Sequence, residues 1–182
     1  MFLTILKKLF LGLLFFQAWV TQAQVWKPTS ASITFKIKHA LGATADGSFK
    51  GLVGTVVFDP KELSNATIKA SIDAKTIDTD LKIRDKNLRS EEYFDVEKYP
   101  KITMVSQKFE KGAKENDYVG TFSLTLKKTT KVIKIPFSFV QNGTTAQIKS
   151  MFQLNRVEYE IGEKSSLLGD VATISITLNV QQ

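Results

Sequence analysis

A chain of 182 residues with a net charge of +7, a single histidine and no cysteine is long enough for one domain with its own core. The lack of cysteine excludes disulfides, thiol catalysis, cysteine-held metal and lipid attachment at a cysteine. The positive balance favours anionic partners such as a membrane surface or a phosphorylated lipid, although the lysines are spread along the chain as on an ordinary solvated face.

The first 23 residues read as a secretory signal, with Lys7 and Lys8 ahead of the apolar run Leu9 to Val20 and Thr21-Gln22-Ala23 as a small-x-small cleavage site. That run falls short of the about 20 residues needed to span a bilayer. Cleavage before Gln24 and a periplasmic or secreted product are therefore expected, with one domain over 24–182 and nucleic acid not an expected partner. Ile33, Phe35 and Ile37 alternate with Thr34, Lys36 and Lys38, a strand with one dry side whose parity His39 continues. Ala40 to Gly47 reads as a loop or a weaker strand ending at Phe49. Leu52 to Phe58 and Ala66 to Asp73 are strand-like, with Asp59-Pro60 as a stop between them.

Thr79 to Pro100 is the one segment beyond residue 30 that reads as helix. Ile77, Leu81 and Leu88 share a face at helical spacing, and Asp85 falls on the same stripe. An inward carboxylate needs a partner. Arg89, four residues on, is the expected intrahelical ion pair, with Arg84 flanking the stripe. A helix of this kind within a strand-rich chain suggests a lid. Strand returns at Lys101 to Gln107, and Lys108 to Asp117 reads as a surface loop. Tyr118 to Leu126 is strand, with Phe122, Leu124 and Leu126 on one side. Thr130 to Val140 follows, with Pro136 demanding an edge or a bulge. Asn142-Gly143 is a hairpin turn into Thr145 to Asn155, and Val171 to Val180 is the last strand. About eight alternating strands suggest an all-β, antiparallel barrel with a helical insert at about 79–95, whose interior is packed or holds one small ligand. A sandwich is the alternative architecture.

No catalytic or metal-binding grouping stands out. His39 has no serine or carboxylate partner on a short element, and clustered metal ligands are missing from the pattern. Gly47, Gly51 and Gly54 lack the lysine and following helix of a phosphate loop and fit bends or bulges in strands. No enzyme activity and no resident cofactor are expected. The chain has 13 phenylalanines, and those in the strands serve either a packed core or the lining of an apolar tunnel, since the two share a composition.

Several segments in order resemble the YceI family of exported polyisoprenoid-binding proteins. They run from His39 through Gly47-Ser48-Phe49-Lys50-Gly51 and Phe58-Asp59-Pro60 to Arg84-Asp85, Leu88-Arg89-Ser90 and Tyr93-Phe94-Asp95. Tyr99-Pro100-Lys101-Ile102, Leu124-Thr125-Leu126, Asn155-Arg156 and Gly169-Asp170-Val171 complete the set. Asn87, Lys128 and Glu160 depart from it, standing where the family often has a histidine, a turn glycine and a glycine after an aromatic. The resemblance implies a lipocalin-like barrel enclosing an isoprenoid lipid: a polyprenol, a polyprenyl phosphate or a quinone-like tail. Phe35, Ile37, His39, Phe49, Phe58, Phe122, Leu124, Phe139 and Phe152 are the expected contacts inside the barrel, and Arg84, Asp85, Leu88 and Phe94 those at the lid. With about 0.8 kcal/mol per buried methylene, roughly ten methylenes reach micromolar affinity before ordering costs. A secreted interaction module with a solid core and no lipid is the alternative. Transient contact with an anionic membrane surface suits the charge, and a homodimer is compatible with the sequence.

Overall fold

The computed structural model describes residues 24–182, so the expected signal segment lies outside the described residues. Nine strands and one α-helix follow in order: β1 (Val25–His39), β2 (Thr44–Phe49), β3 (Val53–Val57), β4 (Thr67–Asp73), α1 (Lys82–Arg89), β5 (Lys101–Lys111), β6 (Asp117–Leu126), β7 (Thr129–Asn142), β8 (Thr145–Asn155) and β9 (Leu168–Gln181). Eight of the strands close an antiparallel barrel. Each of β3 to β9 pairs with its neighbour in sequence, and β9 returns to β1. Closure pairs most of the edge that an open sheet would leave bare.

β1 is long enough to serve two partners along one edge. Val25 and Trp26 pair with β3, whereas Ile33 to Lys38 pair with β2. The far edge of β2 is met by the 74–100 insert through the Ser48–Asp78 bridge. The insert thus completes the wall beyond the short β3. Sequence parity locates most strands to within a few residues. The expected loop at 108–117 is shorter than read, because β5 runs on to Lys111. A bulge between Ser106 and Lys108 resets its parity and turns Phe109 inward. Pro136, expected at an edge or bulge, is where β7 parts from β8. Thr129 to Pro136 pairs only with β6, and the β8 ladder begins at Phe137. The hairpin places Gly143 and Thr144 in the turn, with Asn142 still in the ladder and Gly143 at φ +59°.

The interior stripe changes character along its length. On β9, Leu178 and Val180 are buried but Ile174 and Ile176 only half-buried; on β8, Ala146 and Ile148 are buried but Phe152 and Leu154 half-buried. The buried end is a solid aromatic floor. Phe58 is fully buried, with ring centroids of Tyr118 at 5.0 Å, Phe109 at 5.5 Å and Phe139 at 4.8 Å. Trp26 seals it by donating from Nε1 to the Phe58 carbonyl at 2.9 Å. Gly120 leaves room for the Phe122 ring, which would lie 2.3 Å from a Cβ at that position.

Candidate ligand cavity and its lid

At the other end the barrel is hollow. The cavity offers about 160 Å³ to a solvent-sized guest, and the atom-free space counted out through its mouth is about 1110 Å³. Its wall comes from β1, β2, β4, β5, β6, β8 and β9, and its cover from the insert and the β8–β9 connection. The lining is aliphatic and aromatic apart from Thr34, Ser71, Thr103, the Tyr93 hydroxyl and one charged residue, Arg156. Such a surface favours hydrocarbon over water.

Of the residues expected from the sequence, Phe35, Ile37, Phe49, Leu88, Phe94, Leu124 and Phe152 line this cavity. Phe35, Phe49 and Phe94 form a chain of rings, with centroids 5.7 Å and 5.6 Å apart. Gly47, opposite Phe35 across the ladder, opens the space its ring occupies, since a Cβ there would stand 2.3 Å from it. Phe58, Phe122 and Phe139 do not reach the cavity; they belong to the floor, packed among its rings and aliphatic side chains. His39 is exposed at the last position of β1, beyond Ile37, the last residue of that strand to line the cavity.

Arg84 and Asp85 also stand off the cavity and build the lid instead. Asp85 is buried and accepts from the Thr79 amide at 2.9 Å and the Thr79 hydroxyl at 2.5 Å. Arg84 clasps the same threonine, donating to its hydroxyl at 2.9 Å and its carbonyl at 2.7 Å. The expected Asp85–Arg89 ion pair is not made. Arg89 reaches back to the carbonyls of Lys75 at 2.9 Å and Ile77 at 2.6 Å. The helix is shorter than expected: it begins at Lys82, after Asp80 adopts a left-handed φ of +60°. Leu81 therefore leaves the inward stripe and is 51% exposed.

Arg156 is the residue that site selection from the sequence missed. It is 4% exposed and donates to the carbonyls of Gly169 at 3.0 Å, Ile161 at 2.9 Å and Leu168 at 3.3 Å, with Asp170 3.6 Å away. It holds the β8–β9 connection in shape beside the cavity. Asn155-Arg156 and Gly169-Asp170 were already visible as short motifs, but nothing in their spacing says that one guanidinium gathers these carbonyls. The connection is tied to the insert in turn, because the Gly162 amide donates to Glu92 and Lys127 Nζ bridges the carbonyls of Glu91 and Glu160. Tyr159 is buried beneath it, and that burial, followed by the nearby Glu158 charge, raises its phenol above the ordinary range. Glu160 sits at φ +58°, the conformation that glycine adopts most readily, and its carboxylate is held below the ordinary range chiefly by the Lys128 hydrogen bond.

The YceI-like domain family matches residues 25–180. The chain belongs to this family. Among curated relatives, the YceI-like chain is 35% identical over 113 residues to a UPF0312 protein of Pectobacterium atrosepticum and 34% identical over 113 residues to Protein YceI of Salmonella newport. Each alignment covers 62% of this chain and 58% of the relative. Among solved structures, Burkholderia cenocepacia BcnA superposes with a TM-score of 0.77 at 24% identity, covering 82% of this chain and 95% of that one. A polyisoprenoid binding domain from Saccharophagus degradans superposes with a TM-score of 0.69 at 11% identity, covering 88% and 99%. At these identities the likeness establishes that the YceI-like barrel is shared.

Proposed function

We propose that this barrel binds the hydrocarbon tail of an isoprenoid lipid, a polyprenol, polyprenyl phosphate or quinone-like tail, and sequesters or carries it without chemical change outside the cytoplasm. The observation that carries the reading is the blind apolar cavity above the aromatic floor. Membership in the YceI-like family, and a structural neighbour described as a polyisoprenoid binding domain, support the choice of lipid. The enclosed space of about 160 Å³ is close to that of apolar cavities that hold a benzene-sized guest. The leading end of a tail therefore seats inside, and the rest runs out under the lid. Each further methylene buried there adds about 0.8 kcal/mol, so affinity rises with tail length until the mouth is filled.

Native mass spectrometry of the protein purified from its own host, followed by organic extraction, is the direct test. A co-purifying isoprenoid, or uptake of added polyprenol by the empty protein, is the expected result. An empty protein that also ignores polyprenols of every length overturns the reading.

A further inference from the structure

Exposed apolar side chains divide sharply by place. Val25, Val53, Val105, Val132, Val140, Val171 and Met151 lie on the strands of the outer wall, where β-branched residues are at home. Among residues whose side chains are described, the strongly exposed leucines and isoleucines are Leu81, Ile83 and Leu167, at 51%, 74% and 68%. All three sit at the hollow end. The insert runs antiparallel to β2 from the Ser48–Asp78 bridge, which carries Leu81 toward the Thr44 end. At that same end β1 finishes at His39, paired with Leu168, and the Ala40 amide donates to the Leu167 carbonyl at 2.8 Å.

α1 shows the pattern most clearly. Its inner face carries Asp85 and Leu88, so Ile83 projects outward with Lys82 and Lys86 along one flank. Lys38 and His39 at the end of β1, and Lys164 near Leu167, are exposed as well. Lys38, Lys82, Lys86 and Lys164 form no ion pair among the described residues. Of the acids at this end, Asp46, Asp73, Asp78, Glu97, Glu158, Glu160 and Asp170 are engaged by basic side chains. Asp80, Glu91, Glu92, Asp95 and Glu163 form no ion pair among the described residues; of these, Asp80 and Glu163 stand nearest in sequence to the four lysines. Apolar points ringed by unpaired lysines are complementary to a surface that offers hydrocarbon beneath negative charge.

We infer that the mouth of the barrel is a docking face for an anionic lipid bilayer, with Leu81, Ile83 and Leu167 entering the headgroup layer and Lys82, Lys86, Lys38 and Lys164 meeting lipid phosphates. The inference rests on the rim alone and not on what fills the cavity. Docked in this way, the cavity opens directly onto the membrane, so a tail passes between the two without crossing water.

The test uses the chain lacking the signal segment and vesicles free of isoprenoid lipid, roughly one part phosphatidylglycerol to two parts phosphatidylcholine, in a co-sedimentation assay. Binding should exceed that to pure phosphatidylcholine and fall as salt rises. Ile83→Ser with Leu167→Ser should weaken it about tenfold or more, and Lys82→Glu with Lys86→Glu by a similar factor. These side chains are exposed, so unchanged circular dichroism and melting are expected, and they show that a loss is not unfolding. Met151→Ser, on the outer wall, should leave binding unchanged. Equal binding to neutral and anionic vesicles, or full binding by the rim variants, overturns the inference. So does a dimer in sedimentation equilibrium that Ile83→Ser dissolves, since a second copy would then be the occupant of this face. Because the vesicles carry no isoprenoid, failure here leaves the cavity reading standing, and failure of polyprenol uptake leaves this one standing.

Discussion

Phe122 and Phe152 share a side chain but not a role. Phe122 is 2% exposed and meets Phe109 edge-on, with ring centroids 5.7 Å apart, inside the floor. Phe152 is half-buried and faces the void. Truncating Phe122 to alanine leaves a hole that surrounding rings cannot close, and should cost about 3–5 kcal/mol with no change in tail affinity. Phe152→Ala removes a side chain that already lacks packing on one side. It should cost clearly less and change affinity, because it reshapes the space a guest would fill. Urea denaturation and a titration with a short-chain prenol separate the two. If Phe122→Ala altered affinity and Phe152→Ala did not, the division between floor and cavity would be wrong.

The insert owes its place to polar contacts rather than to helical propensity. α1 has eight residues, too few to be stable alone. Arg89 fastens its end to the carbonyls of Lys75 and Ile77, and Thr79 with Asp85 fastens its beginning. Arg89→Met should therefore cost roughly 1–3 kcal/mol and speed amide exchange across 77–94 while leaving the exchange of β6 to β9 unchanged. Uniform protection in the variant would mean that apolar packing alone holds the lid. These contacts also explain what sequence pattern could and could not deliver. Alternation in β1, β4, β6, β8 and β9 gives the strands and their inner faces, because parity is a local property. The ion pair expected from the spacing of Asp85 and Arg89 fails because backbone carbonyls and Thr79, distant in pattern but near in space, compete for both groups. His39 fails because β1 ends there, at the rim, where correct parity no longer guarantees a covering neighbour. The split of phenylalanines between floor and cavity is also hidden, since Phe58 and Phe35 look alike until their neighbours are in place.

The barrel as a whole is a cup, packed at one end and hollow at the other, and the two ends separate stability from binding. Floor residues bury their apolar surface against protein and stabilise the fold; several cavity residues, Phe35, Phe152, Leu154, Ile174 and Ile176 among them, leave theirs half-covered and forgo part of that stabilisation unless a guest supplies the missing contacts. Filling the cup from within should reverse this exchange. Ala172 lines the cavity, with Ile37 and Leu154 as its cross-strand partners, and is 6% exposed. A phenyl ring at this position finds a void of about 160 Å³, about the size that accommodates benzene in an apolar interior. Ala172→Phe should then hold or raise the melting temperature, whereas the same enlargement in a close-packed core typically costs about 1–3 kcal/mol. Tail affinity should fall tenfold or more as the ring takes the guest's place. A melting temperature lowered by several degrees, with tail binding intact, would show that this end of the barrel has no room to fill and that any guest seats elsewhere.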